Sequence, residues 1–128
     1  MTKRSINPAA LTRPIAPYSW ATQDDHLVFV AGHAALDADG NVVGRGDIRA
    51  QTERTLENMK RTLEAAGGNL TDLVKTTVYL VDVSDYAGMN DVYRRYFPTD
   101  PPARATVLVG LVVAGLLVEI DGYAVIAK

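Results

Sequence analysis

The order of predicted elements places this sequence in the α+β class, with both helices packed on one face of a mixed sheet. Three observations support this prediction: an apolar strand pattern near residues 26–34, two amphipathic helix patterns, and β-rich segments between and after the helices. The chain has 128 residues, enough for one core and too few for two independent ones. We therefore predict a single domain over residues 1–128.

The first strand pattern runs from His26 to Ala34 and contains the run Leu-Val-Phe-Val-Ala-Gly. Prolines at positions 8, 14 and 17 predict an irregular segment before it. After it, Asp39-Gly40 predicts a tight turn.

The first helix is predicted from an N-cap at Asp47 to about Ala66. Its inward face repeats at spacings of 3 or 4 residues, at positions 48, 52, 56, 59, 63 and 66. Gly67-Gly68 ends it, because glycine adopts the left-handed conformation after a helix at little cost.

The second half of the chain alternates between strand and helix patterns. Residues 73–81 form a β-branched strand in which Val74, Thr76, Val78 and Leu80 share one face. Ser84 or Asp85 can cap the second helix, and the Pro101-Pro102 pair follows its end. The inward face of that helix comprises Tyr86, Met89, Asn90, Tyr93, Tyr96 and Phe97. Strands are predicted at about 103–109 and 116–126.

The last strand is apolar on both of its faces, whereas two helices cover only one face of the sheet. The uncovered face therefore requires a partner, and the sequence predicts self-association as a closed symmetric oligomer.

Composition excludes several classes of function. With 13 Lys+Arg against 15 Asp+Glu, the net charge of −2 gives no basic footprint for nucleic acid. The sequence has no cysteine, so disulfides, thiol nucleophiles and Cys-ligated zinc are excluded. The longest uncharged stretch, residues 105–118, is shorter than the roughly 20 residues of a membrane span. No apolar run follows the charged N-terminus, so we expect no membrane association and a cytoplasmic protein.

Arg104 is the most informative candidate for chemistry. It is the second residue of an otherwise small and apolar strand that follows two prolines, which favour extended backbone. A partly desolvated guanidinium can bind a carboxylate through two parallel hydrogen bonds, each contributing about 1.5–3 kcal/mol. The sequence equally allows a structural ion pair with Glu119 or Asp121.

Glu119 lies within the apolar last strand, where an unpaired carboxylate would cost several kcal/mol. It could position or deprotonate a water molecule, or serve as a partner for Arg104 or a backbone amide.

His26 follows Asp24-Asp25 as a turn residue, whereas His33 ends a strand where a pocket could open. Two distant histidines without a carboxylate motif predict no metal site. The Tyr18 hydroxyl could line a pocket or simply pack.

Together these segments resemble the RidA/YjgF-like reactive-intermediate deaminases, from about Ala16 to Ala127. The order and spacing of the matching segments carry the resemblance. They are Ala16-Pro17-Tyr18-Ser19, residues 27–32, 51–58, 63–67 and 74–80, Met89-Asn90-Asp91-Val92-Tyr93, Pro102-Ala103-Arg104 and Leu117-Val118-Glu119-Ile120.

The resemblance implies a chorismate-mutase-like α+β fold with a six-stranded mixed sheet, assembled as a homotrimer with clefts between subunits. It implies hydrolysis of reactive 2-imino acids of the 2-aminoacrylate type, or their enamine tautomers, to 2-oxo acids and ammonia, without a cofactor. By the same resemblance, Arg104 binds the substrate carboxylate, Glu119 helps to place water, and Tyr18 closes the pocket from a neighbouring subunit.

Further pocket residues implied by the resemblance are Gly32, which lets backbone approach the ligand, and His33, Asn90 and Thr106. The sequence departs from the family pattern at Trp20, Ala31, His33, Thr106 and the apolar segment 111–115. These departures suggest a pocket for a bulkier substrate.

Two alternatives remain open at this stage. The protein could be a divergent Rid-family enzyme acting on a bulkier substrate in a catabolic or biosynthetic pathway. It could instead be a non-enzymatic trimer that binds small acids. Among the functions considered, RNA cleavage has the weakest support, because the sequence shows no basic patch and no general-base pair.

Overall fold

The computed structural model describes residues 3–127. Met1 and Thr2, part of the charged N-terminal segment considered above, and Lys128 lie outside the described residues. The strands are β1 (Arg4–Ile6), β2 (Ala21–Asp24), β3 (Leu27–Ala34), β4 (Leu73–Leu80), β5 (Ala103–Leu108) and β6 (Val118–Val125). The helices are α1 (Ile48–Ala65) and α2 (Tyr86–Tyr96), with short 3₁₀ turns at Leu70–Asp72 and Val83–Asp85.

The six strands form one mixed sheet in the order β1-β2-β3-β6-β4-β5. Only β4 and β5 are parallel, and α2 connects them. Both helices contribute to a single core against one face of the sheet, as predicted. The α+β fold class is confirmed, but β1 and the polar strand β2 were not identified from the sequence.

Helix α1 begins and ends as predicted. The Asp47 carboxylate accepts a hydrogen bond from the Ala50 amide at 3.1 Å, which satisfies a free N–H of the first turn. At the other end Gly67 has a φ of +91°, and the Gly68 amide donates to the Leu63 carbonyl. Glycine is favoured in this left-handed position because it has no Cβ.

Strand β4 does not have the predicted alternation at its start. Val74 is 51% exposed and Leu73 is buried, because one extra residue lies between Leu73 and Lys75 where β4 pairs with β6. Such a β-bulge reverses which residues face the core. The prediction that Val74 shares a face with Thr76, Val78 and Leu80 is therefore wrong, whereas those three do share the buried face.

Helix α2 starts at Tyr86, directly after Asp85, which is one of the two predicted caps. Asp85 occupies its N-cap position without a capping hydrogen bond. The Asp82 carboxylate instead accepts from the Ser84 amide at 2.8 Å and caps the preceding 3₁₀ turn.

The second face of the sheet is open. Leu27, Phe29, Tyr123 and Val125 are each about half exposed on it, and the Phe29 and Tyr123 rings meet edge to face at 5.7 Å. The opposite face of β6 is fully buried beneath the helices. As predicted, the last strand carries apolar residues on both faces, and its open face also carries Glu119 and Asp121.

Two buried polar side chains of α1, Gln51 and Asn58, attach it to neighbouring loops and strands. Gln51 donates to the Gly44 and Gly115 carbonyls and accepts from the Leu117 amide. Asn58 donates to two carbonyls at the end of β3 and just beyond it, both at 2.9 Å.

Among residues 3–127, neither helix is long and apolar enough to cross a membrane.

Candidate active site

Arg104 lies on the helix-covered face of the sheet, beside α2. Its partner in β4 is the fully buried Thr76, and directly opposed residues point to the same side of a sheet. The guanidinium carbon is 4.7 Å from the centre of the Tyr93 ring and 5.9 Å from that of Tyr86. Its Nη2 atom donates a long bond of 3.5 Å to the Tyr86 hydroxyl, and Nη1 is 4.0 Å from the Met89 sulfur. Aromatic rings and a thioether therefore support the cation.

No carboxylate pairs with Arg104 within the described part of the chain. Glu119 and Asp121 lie on β6, on the far side of β4 and on the open face. Asp121 instead accepts a hydrogen bond from the Tyr79 hydroxyl at 2.9 Å. The structural ion pair left open by the sequence is not formed, so the charged donors of Arg104 remain available to a ligand.

Two adjoining hollows share Arg104 and Tyr86. The first hollow has a volume of about 490 Å³, and its lining also includes Leu80, Val83, Thr106, Val107 and Leu108. The second hollow, of about 390 Å³, is also lined by Asn90, Tyr93, Arg94, Phe97, Pro101 and Pro102. The predicted residues Thr106 and Asn90 thus lie next to Arg104, one in each hollow.

Tyr86 is electrostatically coupled to its neighbours. A hydrogen bond from the Asn90 side chain lowers the pKa of Tyr86 below its ordinary value, and the positive charge of Arg104 lowers it further. The Tyr86 hydroxyl is accordingly oriented by two donors at the boundary between the hollows.

Glu119 occupies a separate location with Gly32. A Cβ at Gly32 would lie 2.8 Å from the carboxyl carbon of Glu119, so this carboxylate rests directly on the glycine backbone. Burial raises the pKa of Glu119, and the negative charge of Asp121 raises it further. Within residues 3–127 no ion pair neutralises Glu119.

The Tyr18 segment runs beside Gly32. The Ala31 amide donates to the Trp20 carbonyl at 2.9 Å, and the Tyr18 ring packs edge to face on Trp20 at 5.4 Å. Tyr18 itself is 41% exposed. Its segment leads into β2, which is four strands from β5, or ~19 Å across the sheet.

The candidate residues thus form two half-sites. The Arg104 half comprises Arg104, Thr106, Asn90 and Tyr86 on the covered face. The Glu119 half comprises Glu119, Gly32 and Tyr18 toward the other edge. Within one chain, Arg104 and Glu119 lie on opposite faces of the sheet, and β4 separates their two strands.

His33 belongs to neither half-site. Its ring is 1% exposed, its Nδ1 donates to the Ala31 carbonyl at 2.7 Å, and its Nε2 accepts from the Thr62 hydroxyl at 2.8 Å. Burial lowers its pKa to about 4, so the ring is neutral. The predicted substrate contact of His33 is corrected to a role in attaching β3 to α1.

Trp20 is also a packing residue. It is buried, its indole N–H donates to the Thr12 carbonyl at 2.7 Å, and its ring lies 4.9 Å from that of His33. Through its contact with the Tyr18 ring, Trp20 supports the Tyr18 segment, and the suggestion that it shapes the substrate pocket stays a prediction. His26 is the turn residue predicted, with Nδ1 donating to the Ile126 carbonyl.

Comparison with known proteins agrees with this architecture. The Endoribonuclease L-PSP family profile matches residues 9–126. A RutC family protein of Pyrococcus abyssi is 42% identical over 124 residues, covering 97% of this chain and 98% of that protein. RidA from the Antarctic bacterium Psychrobacter superposes with a TM-score of 0.89 at 34% identity, covering 96% of this chain and 99% of RidA. E. coli TdcF with bound serine superposes with a TM-score of 0.89 at 28% identity, covering 97% of this chain and 99% of TdcF.

The chain belongs to the RidA/YjgF-like family. In this family member, sequence reasoning located Arg104 but missed the side chains that support it, Tyr86, Met89 and Tyr93. The sequence did contain a signal for these three residues, because all of them lie on the predicted inward face of α2. That α2 packs beside β5 could not be deduced from periodicity alone. Among residues 3–127 of this family member, no cluster of three or more His, Asp or Glu side chains could hold a metal.

Proposed function

We propose that this protein hydrolyses 2-imino acids, or their enamine tautomers, to 2-oxo acids and ammonia in the cytoplasm. The observation that carries the proposal is Arg104, a partly desolvated guanidinium that lines a hollow without a carboxylate partner among residues 3–127. Such a group binds a planar carboxylate in a fixed orientation.

The reaction requires only binding, a positioned water and proton transfer. Arg104 holds the substrate carboxylate, and water adds its oxygen to the electrophilic carbon of the C=N group. Glu119 accepts a proton from that water and passes it to the nitrogen, which gives a carbinolamine. The proton of the carbinolamine hydroxyl then moves by way of Glu119 to the nitrogen, and the C–N bond breaks as the carbonyl forms and ammonia leaves. The raised pKa of Glu119 makes it a stronger base than an ordinary carboxylate.

The active unit of this proposal is a homotrimer in which each site combines the Arg104 half of one chain with the Glu119 half of its neighbour. Two observations support it. Arg104 and Glu119 lie on opposite faces of the sheet, and the open face carries half-exposed apolar side chains suited to burial against another copy. Tyr18, on the Glu119 half, then closes the pocket of the neighbouring chain.

A second candidate is a trimer that binds small acids without turning them over. It is favoured by the relative TdcF, whose structure contains bound serine, a small molecule with a carboxylate. RNA cleavage, suggested by the family description, lacks similar support because the net charge of −2 provides no basic footprint for RNA.

The test is ammonia release from imino acids that an amino-acid oxidase generates in situ. We expect the protein to accelerate release, and Arg104→Ala to reduce kcat/KM by about 10²-fold or more, the effect of losing two charge-assisted hydrogen bonds. Arg95→Ala is the matched control, because it removes the same charge from an exposed position of α2 outside both hollows.

Two results would contradict the proposal in different ways. Ammonia release at the uncatalysed rate, together with tight binding of 2-oxo acids, would establish the binding protein instead. Equal activity of Arg104→Ala and Arg95→Ala would remove Arg104 from the site.

A further inference from the structure

The first hollow has a polar end and an apolar end. Arg104, Thr106 and the Tyr86 hydroxyl supply its polar groups. At the far end of β5, Leu108 pairs with Leu80 of β4, and the lining also includes the aliphatic residues Val83 and Val107. The polarity changes along β5, and Arg104 and Leu108 are about 13 Å apart at the usual strand rise.

No acidic side chain lines the first hollow, and Arg104 is the only charged residue among those that do. The nearest carboxylates along the chain, Asp82 and Asp85, do not line the hollow, and Asp82 is engaged by both the amide and the hydroxyl of Ser84. The apolar end therefore offers no partner for a cationic or strongly polar substrate group. It does offer exposed aliphatic surface, since Val83 is 67% and Leu108 58% exposed.

We propose that the first hollow selects imino acids with a large aliphatic side chain, of the size of that of leucine, over those with a methyl side chain. This rests on the proposed function, which places the substrate carboxylate on Arg104. With the carboxylate anchored there, the reacting C=N carbon lies toward Thr106 and the substituent on that carbon extends toward Val83 and Leu108. A methyl group would leave that aliphatic surface in contact with water, whereas an isobutyl group covers it.

The experiment compares two imino acids, generated by an oxidase from leucine and from alanine. We expect kcat/KM to be at least about tenfold higher for the leucine-derived imine, because even one methylene in an apolar pocket changes kcat/KM by about this factor. Calorimetric binding of the corresponding stable products, 4-methyl-2-oxopentanoate and pyruvate, should show the same preference.

Variants locate the preference within the hollow. Val83→Ser and Leu108→Ser each replace an exposed aliphatic side chain with a small polar one, so each should lower the leucine-to-alanine ratio of kcat/KM severalfold. Val112→Ser makes the same kind of change at a residue that is 99% exposed and outside both hollows, and should keep the wild-type ratio. Sedimentation of each variant separates an effect on assembly from an effect on the pocket.

The outcomes distinguish this inference from the function on which it rests. Equal turnover of both imines would overturn the side-chain preference while leaving the deaminase intact. A preference that Val83→Ser and Leu108→Ser both leave unchanged would overturn the assignment to the first hollow. No turnover of either imine would overturn the deaminase, and equal binding of the two oxo acids would then overturn the preference as well.

Discussion

Buried polar side chains beneath α1 have partners within the chain, whereas Arg104 and Glu119 have no oppositely charged partner among residues 3–127. Gln51, Asn58 and His33 are each buried and hydrogen-bonded to backbone or hydroxyl groups of the same chain. Arg104 rests on aromatic rings, and Glu119 rests on a glycine.

This difference separates side chains that stabilise the fold from side chains available for chemistry. An unpaired buried polar group costs free energy, so those beneath α1 are fully used inside the chain. Arg104 and Glu119 are only partly buried and keep donors or acceptors for another molecule. The predictions below test the two classes in order of expected effect.

Mixing two inactive variants should restore activity if each site combines two chains. Arg104→Ala and Glu119→Gln, unfolded and refolded together at equal amounts, should recover about a quarter of wild-type ammonia release, since random assembly of a closed ring pairs two intact halves at that frequency. Each variant refolded alone is the control. No recovery despite confirmed mixed trimers would place the whole site within one chain.

The pKa of His33 should make the protein less stable in acid. Burial lowers that pKa from 6.5 to about 4, so the unfolded chain binds a proton more readily than the folded one. The stabilisation is complete above about pH 6.5 and is lost as the pH falls toward 4, by an amount on the order of 3 kcal/mol.

Urea unfolding at pH 7.5 and 4.5 measures this loss. The His33→Gln variant should lose less stability between the two pH values than the wild type does, although it is less stable at pH 7.5. His26→Gln, at the half-exposed turn, is the matched control and should keep the wild-type difference. An unchanged pH dependence in His33→Gln would refute the assignment.

Gly32→Ala should impair catalysis through Glu119 while leaving acid binding intact. The added methyl group would overlap the Glu119 carboxylate, and displacing a catalytic group by about 1 Å can cost up to about 10²-fold in rate. We expect kcat to fall while the Kd for a 2-oxo acid changes little. Gly110→Ala is the control, because a Cβ there meets only open space. A loss of oxo-acid affinity equal to the loss of kcat would contradict this role.

Tyr86→Phe should have the smallest effect. It removes the hydroxyl that accepts from Arg104 and from Asn90, so the guanidinium loses one neutral contact worth roughly a two- to tenfold change in KM. Tyr96→Phe removes a hydroxyl that donates to Glu57, away from both hollows, and should leave KM unchanged. Identical KM values for the two variants would exclude Tyr86 from the site.

Local sequence signals were sufficient for much of the fold. Asp47 and Gly67-Gly68 marked the ends of α1, and Asp39-Gly40 formed the predicted turn, with Gly40 at a φ of +83°. Arg104 was recognisable because a charged residue follows two prolines in an apolar strand. These signals depend only on residues that are neighbours in the sequence, so they can be recognised without knowledge of the tertiary structure.

The misplaced residues follow two β-bulges that simple alternation does not reveal. One extra residue in β3, between Val30 and His33, turns His33 from the open face into the core. The extra residue near Val74 does the same to the start of β4. A bulge is decided by pairing with β6, which is distant in sequence, and neither segment alone specifies it.

The bulge in β4 also allows Leu73 and the face of β4 beside Arg104 to lie in the core together. After the extra residue, Thr76 and Val78 face the core, and their β5 partners Arg104 and Thr106 share that orientation. Gly122 keeps the arrangement compact, because a Cβ there would lie 2.6 Å from the Lys75 carbonyl oxygen. Loss of a single codon at the start of β4 would therefore turn either Leu73 or the face that carries Thr76, the neighbour of Arg104, out of the core, while every substrate-contacting residue remained encoded.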